Sequence, residues 1–239
     1  QTGTFLNAPE RAAYYPLLVY KGAFKLAFLN YTYGTNGLPT TPPNIVNLID
    51  EAQMKADLAE ARALQADFII VVMHWGAEYQ INENKEQAQL AKNLFSWGAD
   101  LIVGAHPHVV QPIKKIEVNQ PDSQKVEGLV AYSLGNFISG QRKEGTNIGL
   151  IFEVTLEKQE GQTQVVDHTY VPVFRHIETR PGGETLFRVV PVAYYDVEPP
   201  PEQFMPSSTY QQMQAAARAV RNHLKRFASR ERSVSLPQN

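Results

Sequence analysis

Phe68-Ile69-Ile70-Val71-Val72-Met73 is an uninterrupted apolar run that ends in His74-Trp75-Gly76-Ala77-Glu78. Such a run is expected of a β-strand covered on both faces. Asn84 and Gln87 then make a capping arrangement for a helix whose inner stripe is Ala88, Ala91, Leu94 and Phe95, with Gly98 as its C-terminal cap. Leu101-Ile102-Val103 is the next strand, and it opens into Gly104-Ala105-His106-Pro107-His108. Strand, helix and strand joined by short connections imply parallel neighbours and an α/β fold. His74 and the His106 loop therefore open at the same sheet edge, where α/β proteins usually build their sites.

Upstream, Leu17 to Tyr20 and Phe24 to Tyr31 are short β-prone runs around Lys21-Gly22-Ala23, the pattern of a hairpin. Between Pro43 and Ala66, Ile49, Met54, Leu58 and Leu64 among alternating charges predict an amphipathic helix. Downstream, Val110 to Val118, Leu129 to Ser133, Gly149 to Leu156, Val165 to Phe174 and Phe187 to Val192 predict antiparallel strands that complete or flank the sheet. Gly140 to Gly149, with Arg142, Lys143 and Glu144, predicts a mobile loop whose charges are by default a solvated face. Pro199-Pro200-Pro201 predicts a linker, followed by a helix that Ser207, Ser208 or Thr209 can cap. That helix carries Tyr210, Met213, Ala217, Val220, Leu224 and Phe227 on one face, which must dock on something.

Composition narrows the function classes. The 239 residues are 43% hydrophobic, enough for a substantial core, and 22 basic against 24 acidic residues give a net charge of -2. No strong field argues for nucleic acid or an anionic membrane surface. No apolar run approaches the ~20 residues of a membrane span. Without cysteine the chain has no thiol nucleophile, disulfide or thiolate metal site. Asn30-Tyr31-Thr32 fits a glycosylation sequon but falls inside a predicted strand.

The chemistry concentrates in the histidines. The proline between His106 and His108 pushes the residue before it toward an extended conformation, and residues two apart on an extended segment face one side. Both imidazoles are then presented to one cleft, in a spacing that suits one metal ion or two. His74 opens toward the same edge. Glu78 can be a ligand, an anchor for an imidazole tautomer or a general base. Imidazole donors favour zinc, manganese or iron over magnesium or calcium. Asn136, in Ser133-Leu134-Gly135-Asn136-Phe137, can ligate metal, donate to a developing oxyanion or merely cap a turn. His168, His176 and His223 lack such context.

His-Trp-Gly-x-Glu-Tyr at 74 to 79, Gly-Ala-Asp-Leu-Ile-Val-Gly-Ala-His-Pro-His-Val-Val-Gln-Pro from 98 to 112, Tyr-Ser-Leu-Gly-Asn-Phe from 132 to 137, and Tyr31 to Gly37 resemble the poly-γ-glutamate capsule synthesis (CapA-like) family. The resemblance implies a calcineurin-like metallophosphatase fold, an α/β/β/α sandwich whose metal ligands sit at one edge. It assigns His74, His106 and His108 to a divalent metal (Mn, Zn or Fe), with one ion or two in the full-length protein. Glu78 and Asn136 become catalytic candidates; Trp75, Tyr33, Asn36 and Arg142 become candidates for contacting substrate.

The early Asp-x-His, second Asp and Gly-Asn-His of that superfamily have no counterpart before His74. The chain is accordingly expected to be a fragment, inactive alone and incomplete at its N-terminal side. Residues 1–198 would be the C-terminal portion of the domain, and 199–239 the proline linker and amphipathic helix. Expected partners are a capsule or exopolymer intermediate, the missing N-terminal half and a second copy, in the cell envelope, with any membrane anchor upstream. The expected activity is that of a metal-dependent phosphoesterase-like hydrolase in capsule biosynthesis. The alternative is a non-catalytic component that binds or assembles the polymer during export.

Overall fold

The computed structural model describes residues 2–119, 125–196, 198–227 and 229–233. In chain order its elements are β1 (Thr4–Phe5), α1 (Ala8–Tyr14), β2 (Leu17–Lys21), β3 (Phe24–Thr32), β4 (Ile45–Val46), α2 (Glu51–Ala63), β5 (Phe68–His74), α3 (Lys85–Ser96) and β6 (Leu101–Ala105). Then follow β7 (Ile113–Asn119), β8 (Lys125–Ala131), β9 (Ile148–Gln159), β10 (Gln162–Thr179), β11 (Thr185–Pro191), a 3₁₀ turn at Val192–Tyr195, α4 (Ser207–Lys225) and β12 (Arg230–Glu231).

The six-stranded sheet runs β2-β3-β5-β6-β8-β7. Its strand β5 shows why the fold was foreshadowed by one run of residues. Ile69, Val71 and Met73 join one buried cluster with Met54 and Leu58 of α2 and Leu90, Ala91, Leu94 and Phe95 of α3. Phe68, Ile70 and Val72 point the other way, into a second cluster with Leu150 of β9, Phe174 of β10 and Val190 of β11. Side chains alternate along a strand, so a strand roofed on both faces has no polar position. The second sheet, in which β10 pairs with β9, β11 and β12, forms the other roof. The result is the expected mixed α/β architecture with helices on one face and a sheet on the other.

Both strand-helix-strand units are parallel, β3 with β5 and β5 with β6. The capping box of Asn84 and Gln87 is present, and Gly98 follows the helix with φ +106°. Several expectations need correction. The helix predicted from Pro43 begins only at Glu51, where Asp50 accepts from Gln53 N at 2.9 Å; Ile45 and Val46 instead pair with β1. The strand beyond residue 110 starts at Ile113, with Val110 held by a single bridge to Leu134. β8 does not join an antiparallel flank: it lies parallel to β6 and antiparallel to β7, slipping between them. β9 and β10 are longer than expected and meet through Glu160 (φ +53°) and Gly161 (φ +81°). Two central residues with positive φ match the twist of the flanking strands. α4 starts at Ser207 after Pro206, with no side-chain cap, and its stripe of Met213, Ala217, Val220 and Leu224 docks into the second cluster. Among the described residues no helix is long and apolar enough to cross a membrane.

The N-terminal segment is fastened by a buried polar node. Asp57, 5% exposed, accepts from Arg11 at 2.7 Å, from Tyr31 Oη at 2.8 Å and from Gln53 Nε2 at 2.9 Å, while Arg11 Nε donates to Asn47 at 2.9 Å. Removing one partner of such a pair leaves the other buried and uncompensated. Asp57→Asn keeps the shape and removes the charge, so it is expected to lower unfolding stability by about 2 kcal/mol in a urea titration. A change indistinguishable from zero would mean that Arg11 finds solvent as easily as Asp57.

Candidate metal centre

β3, β5 and β6 end side by side, and their register sets Thr32 opposite His74 and His74 opposite Ala105. Three loops leave this edge: residues 33–38, 75–84 and 106–112. Donor atoms of Glu78, His106 and His108 all lie within 4.8 Å of one another. His74 stands beside that group rather than in it, its ring edge-on to His106 with centroids 4.6 Å apart. The structure thus brings the three histidines to one sheet edge, with Glu78 rather than His74 grouped with His106 and His108.

The route to this convergence differs from the expected one. His106 has φ +100° and His108 φ +63°, so the His-Pro-His segment is not extended. Positive φ in a residue with a Cβ costs about 1 to 3 kcal/mol and persists only where surroundings impose it. Here Trp75 N donates to Ala105 O at 3.1 Å and Tyr79 N to Pro107 O at 2.8 Å, clamping the loop from both sides. The loop bearing Glu78 is pinned in turn by buried Gln111, whose Nε2 donates to Gln80 O at 2.8 Å and Asn82 O at 3.0 Å, and whose Oε1 accepts from Gln87 at 3.0 Å. Gly76 (φ +88°) starts that loop because the Gln87 amide occupies the space a Cβ would need, 2.6 Å away.

Hydrogen bonds behind the rings fix their tautomers. The Thr32 hydroxyl gives its single proton to Gly34 O at 2.8 Å, so it accepts from His74 Nδ1 at 2.9 Å. Asn136 Nδ2 donates to Thr146 O at 3.0 Å, which turns Oδ1 to accept from His108 Nδ1, also at 3.0 Å. Nε2 of each ring is left as the atom turned toward the cluster. Nε2 of His108 faces Glu78 Oε1 at 3.7 Å, across a gap that a proton or a cation would fill. Burial, followed by neighbouring imidazoles, holds His74 and His106 below the usual histidine range, which keeps His106 neutral as a metal ligand must be and His74 neutral beside it. The donor set fits a divalent ion of the zinc, manganese or iron type.

Thr32→Val keeps the shape behind His74 but removes its acceptor. Because His74 stands beside the trio rather than in it, Mn²⁺ affinity by calorimetry is expected to stay close to that of the wild type. A loss of about tenfold or more, the usual cost of removing a ligand's orienting partner, would place His74 among the ligands.

The histidines also set a pH dependence. His74, His106, His168, His176 and His223 are all held below the ordinary imidazole value, burial being the first cause in each. With the folded value depressed, the unfolded chain binds more protons below about pH 6.5, so stability is lost as pH falls through that range. The melting temperature is expected to drop steadily between about pH 7 and pH 5, and a flat profile would contradict these environments.

The remaining expected residues separate. Tyr33 lies over His106 at 4.4 Å and donates through its hydroxyl to Asn36 at 2.8 Å, so both sit at the exposed rim. Trp75 does not: it is 2% exposed, with Nε1 donating to Tyr132 O at 3.0 Å, and it supports the floor from within the core. Arg142 lines a cavity next door rather than the cluster. Sequence reasoning missed Tyr79, whose ring stacks on His108 at 6.0 Å, and Gln141, which reaches both Asn136 and Tyr79 at 3.4 Å. Tyr79 lay within the quoted motif; nothing local marked Gln141.

Residues 1–141 match the family described as bacterial capsule synthesis protein PGA_cap. The chain is 34% identical over 121 residues to the PGA biosynthesis protein CapA of Bacillus subtilis (strain 168), covering 51% of this chain and 27% of that protein. It is 43% identical over 76 residues to the capsule biosynthesis protein CapA of Bacillus anthracis, covering 32% of this chain and 16% of that one. The matched region thus spans about a quarter or less of these relatives. Among solved structures, Haemophilus influenzae NAD nucleotidase (NadN) aligns over 92% of this chain and 37% of its own, at 8% identity and a TM-score of 0.44. The calcineurin-like phosphoesterase YfkN of Bacillus subtilis aligns over 83% and 53%, at 16% identity and a TM-score of 0.37.

Proposed function

The chain belongs to the bacterial capsule synthesis protein family PGA_cap, and from that premise we propose that it carries part of a metal-dependent phosphoesterase-like centre serving capsule or exopolymer synthesis in the cell envelope. The observation that carries this reading is the convergence of Glu78, His106 and His108, with the free nitrogen of His108 turned toward Glu78. Those three side chains would hold the ion. When bound, a divalent ion there supplies a Lewis acid for a phosphoryl oxygen and makes water acidic enough to attack at neutral pH.

The chain's own residues do the rest. Asn136 keeps His108 in one tautomer, and Thr32 does the same for His74. Neutral His74, with Nε2 free beside His106, is poised to take up or return a proton during transfer. Tyr33 and Asn36 offer an aromatic face and a polar rim to the incoming substrate. Glu78 is the single carboxylate of the cluster, whereas two-metal hydrolytic sites draw on more oxygen ligands, so turnover by this chain alone is expected to be slow.

The test is Mn²⁺-dependent hydrolysis of bis-p-nitrophenyl phosphate by the wild type and His108→Ala. Slow hydrolysis that disappears in the variant supports the proposal. Hydrolysis indifferent to the substitution contradicts it, and polyanion binding without metal dependence would favour a polymer-handling role.

A further inference from the structure

Next to the histidine cluster, between α4, β10 and the loop of residues 141–147, lies a cavity of about 900 Å³. Tyr79 belongs to both, stacking on His108 and lining the cavity. Arg142, Lys143 and Arg175 line it against one carboxylate, Glu144. Arg142 and Lys143 are exposed at the loop, and Lys143 Nζ rests 3.7 Å from the Tyr79 ring centroid.

Arg175 is the exception that calls for an explanation. It is 5% exposed, in the middle of a buried stretch of β10 with Val173 and Phe174. Its Nη2 donates to Gln141 O at 2.5 Å, but its Nε has no partner. The other charge acting on it is a second cation, Arg142, and burial together with that cation holds its pKa below the usual guanidinium value. A guanidinium taken out of water without a counter-ion is a costly arrangement. Asn147 Oδ1, in the same lining, is also buried without a partner, and as an acceptor it calls for an O–H or N–H. The N–H donors of Arg175 match an oxyanion, and Asn147 Oδ1 in the same lining can take a proton of that ligand or of a water bound with it.

The geometry points to an oxyanion-binding site in this cavity, separate from the metal cluster, with Arg175 as its buried anchor and Arg142 and Lys143 at its mouth. Its ligand is a phosphate or carboxylate group. The Gln141 backbone accepts from Arg175 while its side chain reaches Asn136 and Tyr79, so an anion seated here adjoins residues that hold His108. The site does not depend on the metal reading, and its test is done without metal.

Protein stripped with chelator and dialysed free of it is titrated calorimetrically with inorganic phosphate and, separately, with glutarate at constant ionic strength. Saturable binding of either is expected, weakened about tenfold or more by Arg175→Gln and several-fold by Arg142→Ala and by Lys143→Ala, and unchanged by His106→Gly. Phosphate alone or glutarate alone would identify which oxyanion the cavity prefers. Should Arg175→Gln fail to fold, the two exposed loop variants decide. No saturable binding of either anion at millimolar concentration, or binding that none of the cavity variants weakens, overturns the proposal.

Discussion

Replacing His106 by glycine is expected to abolish tight divalent-cation binding while leaving a more stable protein than replacement by alanine. At ordinary positions the order is the reverse, because glycine loses more backbone entropy on folding, by about 0.5 to 1 kcal/mol. At φ +100° alanine keeps the steric strain that histidine bears, and glycine relieves it. The balance favours glycine by about 1 kcal/mol, or roughly 2 to 4 °C in melting temperature for a chain of this size. Both variants should weaken Mn²⁺ or Zn²⁺ binding by at least about 100-fold, since each removes a donor rather than a supporting contact. This separates function from fold. If His106 were a structural residue, glycine would melt well below wild type and metal affinity would not respond to either change.

Gly104→Ala is expected to be the most damaging glycine-to-alanine substitution among the described residues. A Cβ built there lies 1.9 Å from Tyr132 O and 2.6 Å from Trp75 Nε1, the two atoms joined by the hydrogen bond under the histidine loop. The nearer atom is backbone of a buried segment, so neither rotamer change nor solvent access relieves the clash. Overpacking usually costs 1 to 3 kcal/mol; here a strand must separate from its neighbour, and a loss of at least about 3 kcal/mol is expected. Insoluble protein, or a midpoint in urea far below wild type, would agree. A variant that folds with near-native stability would show that β6 and Tyr132 can part cheaply.

The strands that carry the site were legible because they obey local rules. Phe68 to Met73 reads as a strand buried on both faces, and its two parities enter two separate clusters. Asn84 and Gln87 announce α3 through a capping box that forms as written. The place of β8 between β6 and β7 was not legible, since it depends on pairing between segments far apart in sequence. The residue types of the centre were visible in the sequence, but its backbone was not. Nothing in His-Pro-His dictates positive φ at both histidines; the clamps from Trp75 and Tyr79 impose it. The role of Thr32 needed the register that sets it opposite His74. Arg175 left a faint local signal, one cation among Val171, Val173 and Phe174, whose meaning emerged only with α4 and the 141–147 loop around it.

The most direct test of the central claim is a crystal of the chain soaked in Mn²⁺, with anomalous scattering recorded on both sides of the manganese absorption edge. A peak among Glu78, the His106 ring and His108 Nε2, absent below the edge and absent in His106→Gly, is the predicted result. Saturating Mn²⁺ with no anomalous peak at those three side chains would contradict it.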